Sequence, residues 1–339
     1  MTFPPSPRFS VLDLAPVRVD GTVAEAFRNT LDLARHAEQW GFTRFWLAEH
    51  HNMPGIASAA TSVLIGYVAG GTSTIRVGSG GVMLPNHAAL VIAEQFGTLE
   101  TLYPGRIDLG VGRAPGSDGL TSQALRYNTK EDDFPQQVGE LLAYLGPSRP
   151  GQRLRAYPGA GTNVPVWLLG STTYSAQLAA ALGLPFAFAS QFAPALLVEA
   201  TEAYREGFTP SKYLDKPYVM AGVPLVAAET DAEAERLATS ALQRHLRLIR
   251  GEPIFVPPPV DMAGLWSEAE RFVVKSRLGA AVIGGPETVQ HKLAQFLRPT
   301  GADELIFTSD LYDHSLRLRS FEIAADAMKK LGMPQVQRV

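Results

Sequence analysis

The 339-residue chain contains no cysteine. That excludes disulfides, thiolate-ligated metals, iron–sulfur clusters and a cysteine nucleophile in one step. Neither sign of charge is in surplus: 30 Lys and Arg against 33 Asp and Glu leave a formal net charge of −3. With no basic run, nucleic-acid phosphates find nothing to hold, and no nucleic-acid partner is expected. There is also no stretch of about 18 apolar residues, the length a membrane span needs. Residues 1–7 carry three prolines and no basic segment ahead of an apolar one, so no signal peptide is expected and the expected location is cytoplasmic. A Gly-x-Ser-x-Gly elbow is missing as well, and with it the signature of an α/β-hydrolase triad. No repeat of fixed period is visible.

What is present is an ordinary globular composition, 46% hydrophobic, with 31 glycines and 25 prolines spread between apolar segments as turn punctuation. Short β-branched or apolar runs alternate with helical patterns. Strands are expected at residues 8–13, 44–48, 75–84, 107–111, 164–169, 186–189, 219–226 and 304–308. Thr22 is expected to cap a helix that presents Val23, Phe27, Leu31 and Ala34 on one face and closes at Gly41. A small-residue helix is expected over 58–70, and Asn86 is expected to cap another running to Tyr103, where Pro104-Gly105 stops it. Further helices are expected near 131–145 and at the C-terminus, with Phe321, Ala325, Met328 and Leu331 on one face. Eight strand–helix units predict an α/β chain folded as a single TIM-like (β/α)8 barrel over 1–339, with insertions near 147–163 and 251–277 at the C-terminal mouth. A doubly wound open sheet satisfies the same alternation. The second insertion, with its run Pro257-Pro258-Pro259, reads as a lid or as a surface excursion.

In a barrel, the strand C-termini and the loops after them hold the chemistry. Strand two ends in Glu49-His50-His51-Asn52. Neighbouring side chains on extended chain point opposite ways, and no histidine pair stands four apart on a helix, so no metal site is expected. One of the two histidines can instead face the pocket as acid, base or donor, or both can be plain hydrogen-bonded residues. Strand three contains Gly80-Gly81, which marks a bulge, a close approach to a flat ligand, or merely tight packing. Gly110-x-Gly112 with Gly116 lacks the spacing of a dinucleotide loop, and Pro115 interrupts it. Arg113 in that loop suits a phosphate or carboxylate clamp, though loop arginines are often only solvated charges. Gly170-Ser171 ahead of a helix, with Tyr174 and Ser175, fits either an anion site at a helix N-terminus or an ordinary helix cap.

Taken together, the segment Phe45 to Asn52, the strand ending at Pro85, the run Leu102-Tyr103-Pro104-Gly105-Arg106 through Gly116, residues 169–175 and the C-terminal strand and helix resemble the bacterial luciferase-like, flavin-dependent monooxygenases, in order along nearly the whole chain. The resemblance implies a TIM-like barrel that takes reduced FMN, or in one branch a deazaflavin, as co-substrate at its C-terminal mouth. It implies O2 and a small organic compound as the other substrates, and a separate NAD(P)H-dependent flavin reductase as supplier of reduced flavin. Dimers of the family form through the helices after strands two and three, where this chain has Ser58, Ala59, Ala60, Gly66 and Ala69. By position, His50 falls on the catalytic histidine, and Gly80-Gly81 on a non-proline cis peptide beneath the flavin ring. Arg113, Ser171 and Tyr174, with Ser175 beside them, fall on the flavin phosphate region, and Ser190 beside the ring. Gly112 stands where the luciferases carry a reactive cysteine, so nothing that depends on that thiol is implied. Three other functions remain compatible with the residues: hydride transfer with a deazaflavin, non-catalytic flavin binding, and a flavin-free barrel acting on phosphorylated sugars.

Overall fold

The computed structural model describes residues 7–114, 118–125 and 133–332. The elements run β1 (Arg8–Asp13), α1 (Val23–Trp40), β2 (Arg44–Leu47), α2 (Thr61–Gly70), β3 (Arg76–Met83), α3 (Ala89–Leu102) and β4 (Ile107–Gly112). They continue with α4 (Gly119–Ala124), α5 (Asp133–Leu145), β5 (Val166–Gly170), α6 (Thr173–Leu182), β6 (Phe186–Phe188), α7 (Leu197–Glu206) and β7 (Val219–Ala227). The last are α8 (Asp231–Arg250), α9 (Glu268–Arg277), β8 (Val282–Gly284), α10 (Pro286–Thr300), β9 (Glu304–Thr308) and α11 (His314–Gly332). No described helix is long and apolar enough to cross a membrane.

Every strand pairing is parallel, and β6 pairs with β7 while β9 pairs with both β7 and β1, so eight strands close on themselves. The expected (β/α)8 barrel is therefore the observed one. The ninth strand, β8, was not foreseen. It lies outside the ring and pairs only with Leu225–Ala227, the last residues of β7, after β7 has left β9 at Pro224.

Alternation along the strands separates two cores. Outward residues such as Val11, Phe45, Val77, Leu109 and Leu305 join the helices in the main core. Inward residues stack in layers. The lowest is ionic: Arg44 bonds Asp108 at 2.7 Å and Glu304 at 3.1 Å, Arg76 bonds Asp108 at 2.6 Å, and Tyr218 donates to Glu304 at 2.8 Å. Ser10 also donates to Glu304, and Trp46 Nε1 to Asp108. Burial opposes the charge on Asp108, yet Arg44 and Arg76 outweigh it and hold the carboxyl below its ordinary range. Above this sits an apolar layer of Leu12, Trp46, Trp167, Met220 and Ile306, in which the two indoles meet edge to face at 5.1 Å. Above that layer the barrel is open.

Several boundaries differ from expectation. Thr22 and Glu25 form a reciprocal capping box and Gly41 closes α1 in a left-handed conformation. The buried stripe, however, is Ala26, Thr30, Leu33, Ala34 and Ala37, because small side chains allow the helix to sit closer on the strands, and Val23 is exposed. Asn86 caps nothing: Leu84–Asn86 is a turn of 3-10 helix, and α3 starts only at Ala89. The segment 147–163 leads from α5 to the start of β5, so it lies away from the mouth, with Gly159 against Gly97 of α3. Residues 251–277 do reach the mouth. Backbone bonds from Ile254 to Pro54, from Val256 to Val17 and from Val19 to Val256 strap this insertion to the loops after β1 and β2. Of the small residues expected to serve dimer packing, Ser58 and Ala69 are buried within the protomer. The apolar side chains that α2 and α3 leave exposed are Val63, Tyr67, Val91 and Leu102.

Candidate functional site

The open top of the barrel is a cavity of about 330 Å³, within the usual range for small-molecule sites. Its first compartment is walled by the ends of β2 to β5, including Trp46, His50, Gly81, Arg113, Leu169 and Ser171. Its second is walled by the end of β7, α8 and β8, including Val226, Ala241, His245, Ile283 and, after β9, Asp310.

The floor of the first compartment is backbone. The Gly80–Gly81 peptide is cis, as the resemblance implied, and the register between β3 and β4 shifts there. A Cβ on Gly80 would stand 2.6 Å from Leu12 Cδ1, and one on Gly81 would stand 2.9 Å from the Gly110 carbonyl oxygen. Side chains are thus excluded by the inner layer of the barrel, and a flat surface is left above it.

At one end of this floor α6 begins. Thr172, its N-cap, is extended and makes no side-chain cap bond, so the first-turn amides keep their donors for another partner. Gly170 lets this terminus close on β5, since a Cβ there would overlap the Ser175 side chain. Ser171, Thr172 and Ser175 line the cavity. Arg113 lies over the Tyr174 ring at 4.3 Å, so Tyr174 acts on the site by holding a guanidinium and does not itself line the cavity. Ser190 is placed differently from expectation. It is fully buried, and its hydroxyl donates to the Gly222 carbonyl between β6 and β7, outside the cavity wall.

The next residue supplies what Ser190 does not. Gln191 lines the cavity, and its Oε1 is a buried acceptor with no partner among the described residues. Such an atom carries a desolvation cost until a donor arrives.

His50 projects into the cavity while its neighbours turn away. Glu49 Oε1 accepts from His51 Nε2 and from His87 Nε2, each at 2.8 Å. The three ligand-type atoms lie within 4.8 Å of one another, so the fold assembles a group that could hold a metal where the sequence promised none. Extended-chain alternation separates His50 from His51, whereas Glu49 and His51 are two apart and share a side. His87 comes from the turn between β3 and α3 and carries no local signal. The present bonds are those of two N–H donors on one carboxylate. Burial works to raise the Glu49 carboxyl, and the bonds from His87 and then His51 outweigh it, holding it below the ordinary range.

A shifted acid of this kind is a stability statement. Because the folded value is the lower one, the contribution is complete above the ordinary glutamate pKa and is lost as pH falls through the folded value. Glu49→Gln is expected to lose about 1–3 kcal/mol at pH 7 and progressively less toward pH 3. Urea denaturation across that range checks the prediction, and a pH-independent deficit would contradict it.

With this geometry described, the chain can be compared with known proteins. The family described as luciferase-like monooxygenase matches residues 7–304. YvbT of Bacillus subtilis (strain 168) is 58% identical, over 94% of this chain and 96% of its own. A luciferase-like monooxygenase of Escherichia coli (strain K12) is 53% identical, over 95% and 97%. The crystal structure of apo-MsnO8 superposes with a TM-score of 0.85 at 35% identity, covering 95% of this chain and 98% of that one. The barrel, the cavity at its mouth and the full-length match agree, and the chain belongs to the luciferase-like monooxygenase family.

Proposed function

We propose that the protein is a flavin-dependent monooxygenase that takes reduced FMN and O2 to a small organic substrate. The observation that carries this reading is the meeting, in one cavity, of a flat backbone floor, an uncapped helix N-terminus beside Arg113, and a histidine. FMN has a planar ring, a phosphate and N–H and O–H donors, and each of these features has a counterpart here. The floor over Gly80-Gly81 suits the ring, and Arg113, Ser171, Ser175 and the α6 amides suit the phosphate. The orphan oxygen of Gln191 needs a donor that the cofactor carries.

Reduced flavin, when bound, supplies the electrons that activate oxygen. The chain's own part is to orient, to exclude water and to move a proton. Apolar walls from Leu12, Trp46 and Leu169 keep the first compartment dry. His50 holds or delivers a proton at an imidazole nitrogen facing that space. In this reading a separate NAD(P)H-dependent reductase provides the reduced flavin, and the exposed faces of α2 and α3 form a homodimer.

The test begins with anaerobic titration of the protein with reduced FMN and with a reduced deazaflavin. FMN is expected to bind at least about tenfold more tightly. His50→Ala is expected to leave FMN affinity unchanged and to lower oxygen-coupled turnover by about 10²-fold or more, with hydrogen peroxide released in its place. Preference for the deazaflavin would overturn the cofactor assignment, and unchanged coupling in His50→Ala would overturn the role of His50.

A further inference from the structure

The second compartment is built from chain that the barrel does not need. Where β7 leaves β9, it turns to β8, and the space between them and α8 is lined by Leu225, Val226, Ala238, Ala241, Ala281 and Ile283. Ala238 and Ala241 point their small side chains into it, and one helical turn beyond Ala241 stands His245. The His245 ring uses Nδ1 on the Ala241 carbonyl oxygen, at 2.9 Å. A carbonyl accepts only, so Nδ1 carries the hydrogen and the neutral ring keeps a lone pair on Nε2. That bond is the ring's only one among the described residues. Burial lowers the His245 pKa, which favours this neutral, accepting form.

Beside it Asp310 also lines the cavity and forms an ion pair with Arg244. Arg244 is itself buried and donates from Nε to the Ile254 carbonyl at 2.8 Å, so its charge is directed into the wall. The polar end of this apolar space therefore presents a lone pair and a carboxylate.

We propose that this compartment is the organic-substrate subsite, and that it takes a small molecule with an apolar body ending in an N–H or O–H donor, which His245 Nε2 and Asp310 receive. An anionic end group is disfavoured, because it would meet two acceptors, the His245 lone pair and the Asp310 carboxylate, with Arg244 already committed to Asp310 and to the Ile254 carbonyl. This inference rests on the flavin reading for what happens to the substrate, but not for where the substrate binds.

The experiment is calorimetric titration of the FMN-bound protein and, without FMN, of Arg113→Ala, which removes the anion site of the same cavity, using hexylamine, hexan-1-ol and hexanoate as probes. The amine and the alcohol are expected to bind at least about tenfold more tightly than hexanoate. In His245→Phe the preference for the alcohol over hexanoate is expected to fall by at least about threefold, with Asp310 keeping the remainder. Ala241→Leu, which fills the apolar part, is expected to abolish binding of all three probes while the affinity for FMN stays within about twofold. Hexanoate binding as tightly as the amine, or His245→Phe keeping the full preference, would overturn the proposal. If FMN fails to bind while the probes behave as stated, the cofactor reading falls and the subsite stands. If FMN binds and the probes show no discrimination, the reverse holds.

Discussion

Asp108→Asn is expected to destabilise the protein by about 3–5 kcal/mol, a large share of the roughly 5–15 kcal/mol typical of a folded protein. Asparagine has the right shape but no charge. Asp108 is wholly buried and accepts from Arg44, Arg76 and the Trp46 indole at once. Its loss leaves Arg44, whose side chain is 8% exposed, with Glu304 alone to balance it. The penalty comes from the uncompensated cation more than from the missing bonds. Pairing Asp108→Leu with Arg44→Met should therefore recover much of what either change loses alone. Urea denaturation of the unaltered protein, Asp108→Asn, Asp108→Leu, Arg44→Met and the double variant measures this, and a loss under about 1 kcal/mol for Asp108→Asn would show that the layer is not what holds the base of the barrel.

Arg113→Ala carries the second large effect, on binding and not on folding. The guanidinium is held over Tyr174 beside the start of α6, where a phosphate would meet a positive side chain and the positive end of a helix together. FMN affinity is expected to fall by about 10–100-fold. Riboflavin, which lacks the phosphate, is expected to lose less than about threefold. Flavin fluorescence titration with both ligands gives the contrast. Equal losses for the two would place Arg113 elsewhere than at the phosphate. Tyr174→Leu should reproduce part of the FMN effect, because its ring positions the charge without contributing one.

The strands were legible because β-branched runs bounded by glycine and proline have few other conformations open to them. The expected bounds of β1 and β9 match the observed ones to the residue. β8 was not legible: three residues within a glycine-rich stretch give neither period nor length, and only tertiary pairing makes them a strand. On α1 the sequence pattern favours Val23, Phe27, Leu31 and Ala34 for the core face. Packing chose the small ones, because closeness to the sheet matters more there than side-chain size.

The site divided in the same way. Gly80-Gly81, Arg113, Ser171 and His50 announced themselves as unusual residues at strand ends, and the cavity unites them with contributions from Tyr174 and Ser175. Ser190 had the right address but its hydroxyl faces a carbonyl of the neighbouring strand. Gln191 gave no sign, since an unpaired amide oxygen exists only once the fold has enclosed it. His245 had a signal that went unread. Ala234, Ala238, Ala241 and His245 recur at helical spacing, so a polar ring continues an inward-facing stripe of alanines.

The departure of β7 from β9 at Pro224 has a consequence for how such an enzyme can change its diet. The wall proposed to receive the flavin is part of the closed ring, where each side chain also supports its neighbours around the circle. The wall proposed to receive the other reactant lies outside that ring, joined to it through β7 and α10 and strapped by Ile254 and Val256 to the loops after β1 and β2. Changes in residues 228–284 therefore fall outside the strand pairings that close the ring. On the proposed reading, one barrel core can then face different compounds through changes in that outer wall.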